Sequence, residues 1–386
     1  MDSINKRLIP SSKYIFIVLL ISGVSCQNQP EVREKLNNKI PSFQHEIIDG
    51  RYQDNPWAKI AADLDQDGKT DIIIGGQKGP LTWYRNPDWK GFVINEGGYQ
   101  TVDGEAGDID GDGDPDVVMG GLIWYENPGN LLEEPNSAWL AHQIIDHPTH
   151  DVELADIDQN GTLDIVTRNQ SDFGTMKGNT IHIWYNEGEE PWREKILECE
   201  HGEGLRIYDL DGDMDIDIIG GGFWFENSEN WPLHKIVEWH GSANVDIGDF
   251  NLDGKVDIVL TPSELSGQFY RISWFEQPMD LRNGQWVEHI LVAKMECVVH
   301  GVATADFNHD GLMDIAYSEM HQGVDPDEVV VLINGEKGEA WNKIILSEKG
   351  SHSIQVALIN ADNTPDILGA NWSGEHQPIE IWTTTQ

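Results

Sequence analysis

The 386-residue chain is poor in cysteine and in basic residues. It contains three cysteines, and its 25 lysines and arginines are set against 67 aspartates and glutamates, for a formal net charge of −42 at pH 7. So acidic a chain repels phosphates and anionic lipid headgroups, which argues against nucleic acid and the membrane surface as partners. Cys199 and Cys297 lie in different, non-adjacent repeats, so we expect no disulfide, and bound metal ions are left to stabilise the fold.

Long apolar runs are absent except near the N-terminus, where the run from Tyr14 to Val24 is too short to cross a bilayer. Basic residues precede it and the small-residue stretch "GVSC" follows, as in an export signal. The stretch resembles a bacterial lipoprotein signal with Cys26 as the lipidated residue, although Gly23 stands where leucine is usual. We therefore predict an exported lipoprotein of the outer membrane, periplasm or cell surface of a Gram-negative bacterium, touching the membrane only through its lipid. The predicted parts are a signal peptide at 1–25, a linker at 26–42 and one domain at 43–386.

Catalytic motifs of the common kinds are also missing. No glycine-rich phosphate loop follows a strand and opens a helix, and no serine nucleophile elbow is present. The sequence consists instead of a repeated loop, seen in "ADIDQNGTLDIV" at residues 155–166 and in five further strong copies. A seventh copy, "ALINADNTPDIL", is degenerate, with Leu358 in place of the first aspartate. Copies begin 40 to 57 residues apart, which is the period of four-stranded propeller blades.

The residues around each loop alternate with period two, as in strands. We therefore predict an all-β, seven-bladed β-propeller. The last repeat stops after its third strand, whereas residues 44–49, "QHEIID", read as an orphan fourth strand. The N-terminal strand is expected to complete the last blade and close the ring, which removes two exposed sheet edges.

The loops have the composition of calcium sites. Carboxylates at alternate positions, a glycine for the sharp turn and a later aspartate supply the oxygen ligands that Ca²⁺ prefers. The loop runs into a strand, so it is not an EF-hand. Met214 replaces the glycine in the fourth copy and weakens that site, and the seventh copy is expected to bind nothing. The predicted ligands are Asp63, Asp65, Asp67 and Asp71; Asp108, Asp110, Asp112 and Asp116; Asp156, Asp158, Asn160 and Asp164; Asp209, Asp211, Asp213 and Asp217; Asp249, Asn251, Asp253 and Asp257; Asp306, Asn308, Asp310 and Asp314.

This loop resembles the FG-GAP or VCBS repeat of integrin-type propellers over nearly the whole of residues 43–386. The resemblance implies that several Ca²⁺ ions are structural and that the metal loops share one face of the ring. Residues before the inner strands and after the second strands would then share the opposite face.

Eight of the fourteen histidines map to that opposite face. A ring of imidazoles from different blades is hard to attribute to packing, because histidine is neither a common core residue nor a preferred turn residue. The fourth-strand residues His45, His142, His234 and His289 are expected to be structural. The predicted funnel histidines are His147, His150, His201, His240, His300, His321, His352 and His376.

A funnel of histidine, arginine and carboxylates on an exported propeller resembles propeller-type polysaccharide lyases that cleave ulvan, and ulvan-oligosaccharide dehydratases of marine flavobacteria. The resemblance implies elimination across C4–C5 of a uronic acid at the end of an acidic oligosaccharide. Such a reaction needs a cation at the carboxylate, a base and an acid. The candidate catalytic residues are His150, His201, His240, His300, Arg206 and Arg168, and the candidate substrate-binding residues are Glu153, Asp246, His321, His352, Asn169 and Glu264.

Two other functions fit the same residues. A polysaccharide lyase would break the glycosidic bond by β-elimination, and a non-catalytic propeller would bind a glycan or protein at the cell surface, stacking sugars on Trp57, Trp372 and Tyr99. Zinc is a further candidate ion, with Cys199 and His201 or His300 as ligands, but no tight spacing supports it. We expect a monomer.

Overall fold

The computed structural model describes residues 40–50, 55–98, 101, 103–120, 123–145, 149–169, 178–188, 191–239, 242–324, 326–360 and 362–385. Over these residues the chain is all-β, with 28 strands in seven four-stranded antiparallel sheets. This confirms the predicted seven-bladed β-propeller. Residues 1–39, which carry the predicted signal peptide and Cys26, lie outside the described part of the chain.

The strands of the first three blades, in chain order, are β2 Pro56–Ala62, β3 Asp71–Gly76, β4 Leu81–Arg85 and β5 Lys90–Asn95; β6 Gly104–Gly107, β7 Asp116–Met119, β8 Ile123–Glu126 and β9 Leu140–Gln143; β10 Asp151–Ala155, β11 Asp164–Arg168, β12 Thr180–Tyr185 and β13 Arg193–Glu198. Blades 4 and 5 contain β14 Leu205–Tyr208, β15 Asp217–Gly220, β16 Phe223–Phe225 and β17 Leu233–Lys235; β18 Ala243–Gly248, β19 Asp257–Pro262, β20 Leu265–Glu276 and β21 Val287–Cys297. Blades 6 and 7 contain β22 Val299–Ala305, β23 Asp314–Glu319, β24 Val329–Asn334 and β25 Trp341–Ser347; β26 Ser353–Ala357, β27 Asp366–Ala370, β28 Ile379–Thr385 and the N-terminal strand β1 Ser42–Asp49.

The N-terminal strand closes the ring. Strand β1 pairs antiparallel with β28, from Ser42 opposite Thr385 to Asp49 opposite Ile379, and so becomes the outermost strand of blade 7. The first strand of every blade contacts the first strands of both neighbouring blades, which makes these seven strands the inner wall around the axis. The predicted closure is confirmed.

A repeated hydrogen-bond clamp joins six of the seven blades, blades 1 to 6, to the blade before them. The last aspartate of each loop is buried and accepts backbone N–H groups from its own loop and from the end of the third strand. At the seam between the first and last blades, Asn86 N donates to Asp71 Oδ1 at 2.8 Å, while Asn86 Nδ2 donates to Ile359 O of blade 7 at 2.7 Å. The same pattern places Asn127 on Leu64 O, Asn186 on Ile109 O, Asn227 on Ile157 O, Gln277 on Leu210 O and Asn334 on Phe250 O.

The fourth-strand histidines pack on the tryptophans of the third strands. His289 stacks on Trp274 with ring centroids 3.9 Å apart, and its Nε2 lies 3.2 Å from Glu276 Oε2. His45, His142 and His234 make the same two kinds of contact, with Trp382, Trp124 and Trp224 and with Glu380, Glu126 and Glu226. Their structural role is confirmed.

Cys199, after strand β13 of blade 3, and Cys297, in β21 of blade 5, do not form a disulfide with each other, as predicted. Within the described ranges, no helix has the length and apolar character needed to span a membrane.

Candidate functional site

The acidic loops all lie where an inner strand ends, on one face of the ring. In four of them three carboxylates converge, with one oxygen from each within 4.8 Å of the others: Asp63, Asp65 and Asp71; Asp108, Asp110 and Asp116; Asp156, Asp158 and Asp164; Asp209, Asp211 and Asp217. In the first loop, Asp63 Oδ1 is buried without a hydrogen-bond partner, and Asp65 Oδ2 lies 2.8 Å from Arg85 Nε. Because these are oxygen-only donor sets, the residues fit Ca²⁺.

The backbone of the loops explains their glycines. The sixth residue is a glycine in five of the six strong copies, with φ from 84° at Gly254 to 104° at Gly113, a conformation that glycine adopts without strain. Met214 keeps the same left-handed conformation at φ 78° and is 81% exposed. The fourth loop therefore retains its shape despite the substitution.

The opposite face carries a group of buried side chains that we call the central cluster: His150, Glu203, Glu264, His300 and His352. His150 precedes inner strand β10 of blade 3, and His300 lies in inner strand β22 of blade 6, almost directly across the ring. Their Nε2 atoms are 3.3 Å apart, so side chains from opposite blades meet and close the channel at this level. His352, from the start of blade 7, stacks on His300 with ring centroids 4.2 Å apart.

Two glutamates complete the central cluster. Glu203 Oε2 lies 3.3 Å from His150 Nε2 and 3.9 Å from His300 Nε2, and Glu264 Oε1 lies 3.3 Å from His300 Nε2. Glu203 is 1% exposed and the two histidines are 2% and 3% exposed. Water is therefore largely excluded from the polar atoms that meet here.

Local backbone features hold the two glutamates in place. Glu203 lies between Gly202 and Gly204, both at positive φ, and a Cβ at Gly204 would come within 2.4 Å of Ala243 O. Glu264 itself has φ 69°, a left-handed conformation that costs a non-glycine residue roughly 1–3 kcal/mol. Strain of this kind persists where the surrounding structure imposes it, and it is concentrated at functional sites.

Burial and charge set the protonation of the central cluster. Burial alone would lower the pKa of His150, but the carboxylates of Asp151 and Glu203 outweigh it and raise that pKa. Burial and the charge on His150 lower the pKa of His300 to about 3. Burial, together with His300 and Lys59, holds the pKa of His352 well below its ordinary value. His300 and His352 are therefore neutral imidazoles at neutral pH.

Lys59 is a buried cation beside the central cluster. It lies in inner strand β2, is 4% exposed, and donates a hydrogen bond to Trp57 O at 2.8 Å. Burial lowers its pKa to about 7, with Asp103 opposing the shift. Its charge acts on both His300 and His352. A lysine so placed can meet an anionic ligand.

The two predicted arginines are held by other groups. Arg168 is buried and donates to the backbone carbonyls of Glu200, Glu203 and Gly204, so it supports the loop that carries Glu203. Arg206 pairs with Glu153 and Asp246 at 2.9 Å each, and so links the inner strands of three adjacent blades.

An aromatic wall extends from the central cluster toward solvent. Trp57 and Trp372 are half-buried and stacked with centroids 5.5 Å apart, and each meets the edge of His352, at 6.3 and 6.2 Å. Half-buried His321 lies 6.0 Å from Trp372, and its Nε2 is 2.8 Å from Ser373 Oγ. Burial becomes shallower along this path from His300 to His321, which gives the cluster an open side.

The remaining predicted residues lie elsewhere. His376 bonds to Glu380, His201 is exposed, and Asn169 bonds to Thr180 and His182 inside blade 3. His147, His240 and Tyr99 lie outside the described residues. Of the proposed zinc ligands, His300 belongs to a possible metal-binding group among the described residues, with His150 and Glu203, and Cys199 and His201 do not.

Sequence reasoning missed Glu203 and Lys59. The signal for Glu203 was the segment "HGEGLR", in which glycines on both sides allow a tight turn before an inner strand. The signal for Lys59 was a single charge in the apolar inner strand "PWAKIAA".

Comparison with known proteins agrees with the fold. The FG-GAP-like repeat family matches residues 63–119, 108–167 and 249–317. No curated protein is detectably similar in sequence.

Solved structures share the architecture at low identity. The N-terminal domain of BBS1 bound to ARL6 superposes with a TM-score of 0.57 at 10% identity, covering 90% of this chain and 98% of that one. A chain of the mitotic checkpoint complex gives 0.56 at 8% identity, covering 96% and 99%. At such identities the likeness concerns the fold alone.

Proposed function

We propose that this seven-bladed β-propeller, which the FG-GAP-like repeat family matches at residues 63–119, 108–167 and 249–317, is an exported carbohydrate-active lyase. It would eliminate water across C4–C5 of uronic-acid-terminated oligosaccharides, such as those of ulvan. The observation that carries the proposal is the central cluster. Blades on opposite sides of the ring bring imidazoles, carboxylates and a buried lysine together in a water-poor region with an open, aromatic side.

Elimination from a uronic acid has three chemical requirements. Positive charge must neutralise the substrate carboxylate so that the C5 proton becomes acidic, a base must remove that proton, and an acid must protonate the leaving oxygen. Such groups act most strongly where water is excluded and they are fixed before the substrate arrives.

Lys59 takes the carboxylate-binding role in this proposal. The predicted arginines already bind other groups: Arg168 donates to backbone carbonyls, and Arg206 pairs with two carboxylates. Lys59 combines burial with a hydrogen bond to a neutral carbonyl, and a carboxylate beside it would restore its full charge.

The proton transfers belong to His352 and His321. His352 is neutral at neutral pH, as a base must be, and it lies on the open side of His300. His321 lies farther out on the same wall, beside Ser373. Trp57 and Trp372 supply the apolar surface against which a sugar ring packs.

A closed floor favours a chain end over a chain interior. Because His150 and His300 meet across the axis, a polysaccharide cannot pass through the ring at this level. A terminal residue can enter from the open side, and its leaving group at C4 is then water.

The test is to incubate the purified protein, with calcium present, with uronic-acid oligosaccharides from ulvan and related polymers. The new ultraviolet absorbance of an unsaturated uronate and loss of one water by mass support the proposal. Absorbance with chain cleavage would show a polysaccharide lyase instead. Binding to these sugars without either product would show a non-catalytic glycan-binding propeller.

We further propose that the loops bind structural Ca²⁺ and that the protein is a monomer anchored by lipid at Cys26. The convergent carboxylates and the orphaned Asp63 Oδ1 support calcium, and the sequence around residue 26 supports the anchor. Fractionation tests the anchor: Cys26→Ser should move the protein from the membrane to the soluble fraction, and an unchanged distribution would contradict it.

A further inference from the structure

We propose that His150, Glu203 and His300 form a binding site for a divalent transition-metal ion of the zinc type, at the floor of the funnel and separate from the calcium loops. Two imidazoles and one carboxylate are a donor set that suits zinc and similar ions, whereas calcium takes oxygen ligands.

The distances between the donor atoms fit a single ion. A tetrahedral ion with bonds of about 2.0–2.1 Å holds its ligand atoms about 3.3–3.4 Å apart. His150 Nε2 is 3.3 Å from both His300 Nε2 and Glu203 Oε2, and the third separation is 3.9 Å. Closing that one gap by about 0.5–0.6 Å completes the geometry.

The burial of His150, Glu203 and His300 indicates that their side chains bind a ligand. Glu203 is 1% exposed, and its Oε2 atom lies at an ion-pair distance from His150 Nε2 but accepts no hydrogen bond, whereas Oε1 accepts one from Ser263. A buried carboxylate oxygen that accepts no hydrogen bond destabilises the fold, at a cost in free energy. An ion bound between Oε2 and the two Nε2 atoms removes that cost.

The surrounding residues orient the donors as they do in metal sites. Ligating histidines usually direct the other ring nitrogen to a carboxylate or carbonyl. His150 places Nδ1 at an ion-pair distance of 3.2 Å from Asp151 Oδ1, whereas His300 Nδ1 is buried without a hydrogen-bond partner; Ser263 holds the second oxygen of Glu203. Glu264 Oε1, 3.3 Å from His300 Nε2, is placed to serve as a fourth ligand or to yield that position to a substrate oxygen.

The experiment uses the whole protein without a polyhistidine tag, stripped with chelator and returned to excess calcium so that the oxygen-only loops are filled. Zinc is then added, binding is measured by calorimetry, and the zinc coordination shell is determined by X-ray absorption. We expect one tight zinc equivalent per chain with two imidazoles in its shell. A shell of oxygen atoms alone would overturn the inference.

Variants locate the ion. Glu203→Gln and His300→Gln should weaken zinc binding at least tenfold, and Asp151→Asn, which leaves all three donors in place, should weaken it about 10–100-fold. His234→Gln changes a histidine outside the central cluster and should bind zinc as the unaltered protein does. Equal binding by all four variants would contradict the site. If a ligand variant fails to fold, Asp151→Asn and the coordination shell still decide.

This inference does not rest on the proposed reaction, because zinc is measured with no sugar present. A protein that binds zinc but leaves uronates unchanged would refute the lyase and keep the metal site. A protein that forms unsaturated product without a zinc equivalent would do the reverse.

Discussion

Substitution of Asn86 by alanine should loosen the ring at its seam. The Asn86 side chain is 6% exposed and donates from Nδ2 to Ile359 O of blade 7 at 2.7 Å and to Thr70 O at 2.9 Å. Each lost hydrogen bond is worth about 1 kcal/mol net, and a buried carbonyl left without a donor costs about 1–3 kcal/mol more. We therefore expect Asn86→Ala to lower the free energy of unfolding by roughly 2–4 kcal/mol.

The assay is urea denaturation followed by tryptophan fluorescence, with calcium held constant. Asn334 Nδ2 donates to Phe250 O and Met313 O at another blade interface. Asn334→Ala removes this clamp and should lower the free energy of unfolding by a similar amount. Asn342→Ala, at an exposed position of the outer strand β25, is the control and should cost nothing measurable. A loss below about 1 kcal/mol in Asn86→Ala would refute the claim that these amides hold the blades together.

Three further outcomes are expected. Lys59→Met should raise the free energy of unfolding at pH 7 by several kcal/mol. Burial lowers the pKa of Lys59 from 10.5 in the unfolded chain to about 7 in the fold, so the folded state binds its proton less tightly. The lysine therefore destabilises the fold below pH 10.5, and most strongly below pH 7. Urea titrations at pH 7 and pH 10 check this, and a variant less stable than its parent at both would contradict it. Met214→Gly should add about 1 kcal/mol by relieving the left-handed backbone at φ 78°, and an unchanged unfolding midpoint would exclude strain there. Removing calcium should lower the Tm, because each loop stabilises the fold by about 2.7 kcal/mol when the calcium concentration is a hundred times its Kd. A Tm that does not change when chelator is added would show that the loops hold no ion.

The fold followed from local pattern because the blade is a local unit. The spacing of the loops predicted seven blades, and "QHEIID" without a partner repeat predicted closure by β1. The stacked histidines of the fourth strands were predicted for the same reason, since each contacts a tryptophan of its own blade.

The site could be predicted only in part because it depends on contacts across the ring. His150 and His300 are 150 residues apart and meet because blades 3 and 6 face each other. Repeat spacing gives the face on which a residue lies, but not how far its side chain reaches toward the axis. His201 and His376 were predicted on the same face but lie outside the central cluster. Arg168 donates its hydrogen bonds to backbone carbonyls, a contact that the sequence pattern does not indicate.

The most direct test is whether the central cluster catalyses elimination from uronic-acid oligosaccharides. Product formation from uronic-acid oligosaccharides should be compared among the unaltered protein, His352→Gln and the control His289→Gln, whose histidine stacks on Trp274 far from the axis. We predict that His352→Gln lowers kcat/KM by at least about a hundredfold, as expected for removal of a general base, while His289→Gln leaves kcat/KM unchanged. Equal activity in all three proteins would contradict the assignment of the active site to this face of the propeller.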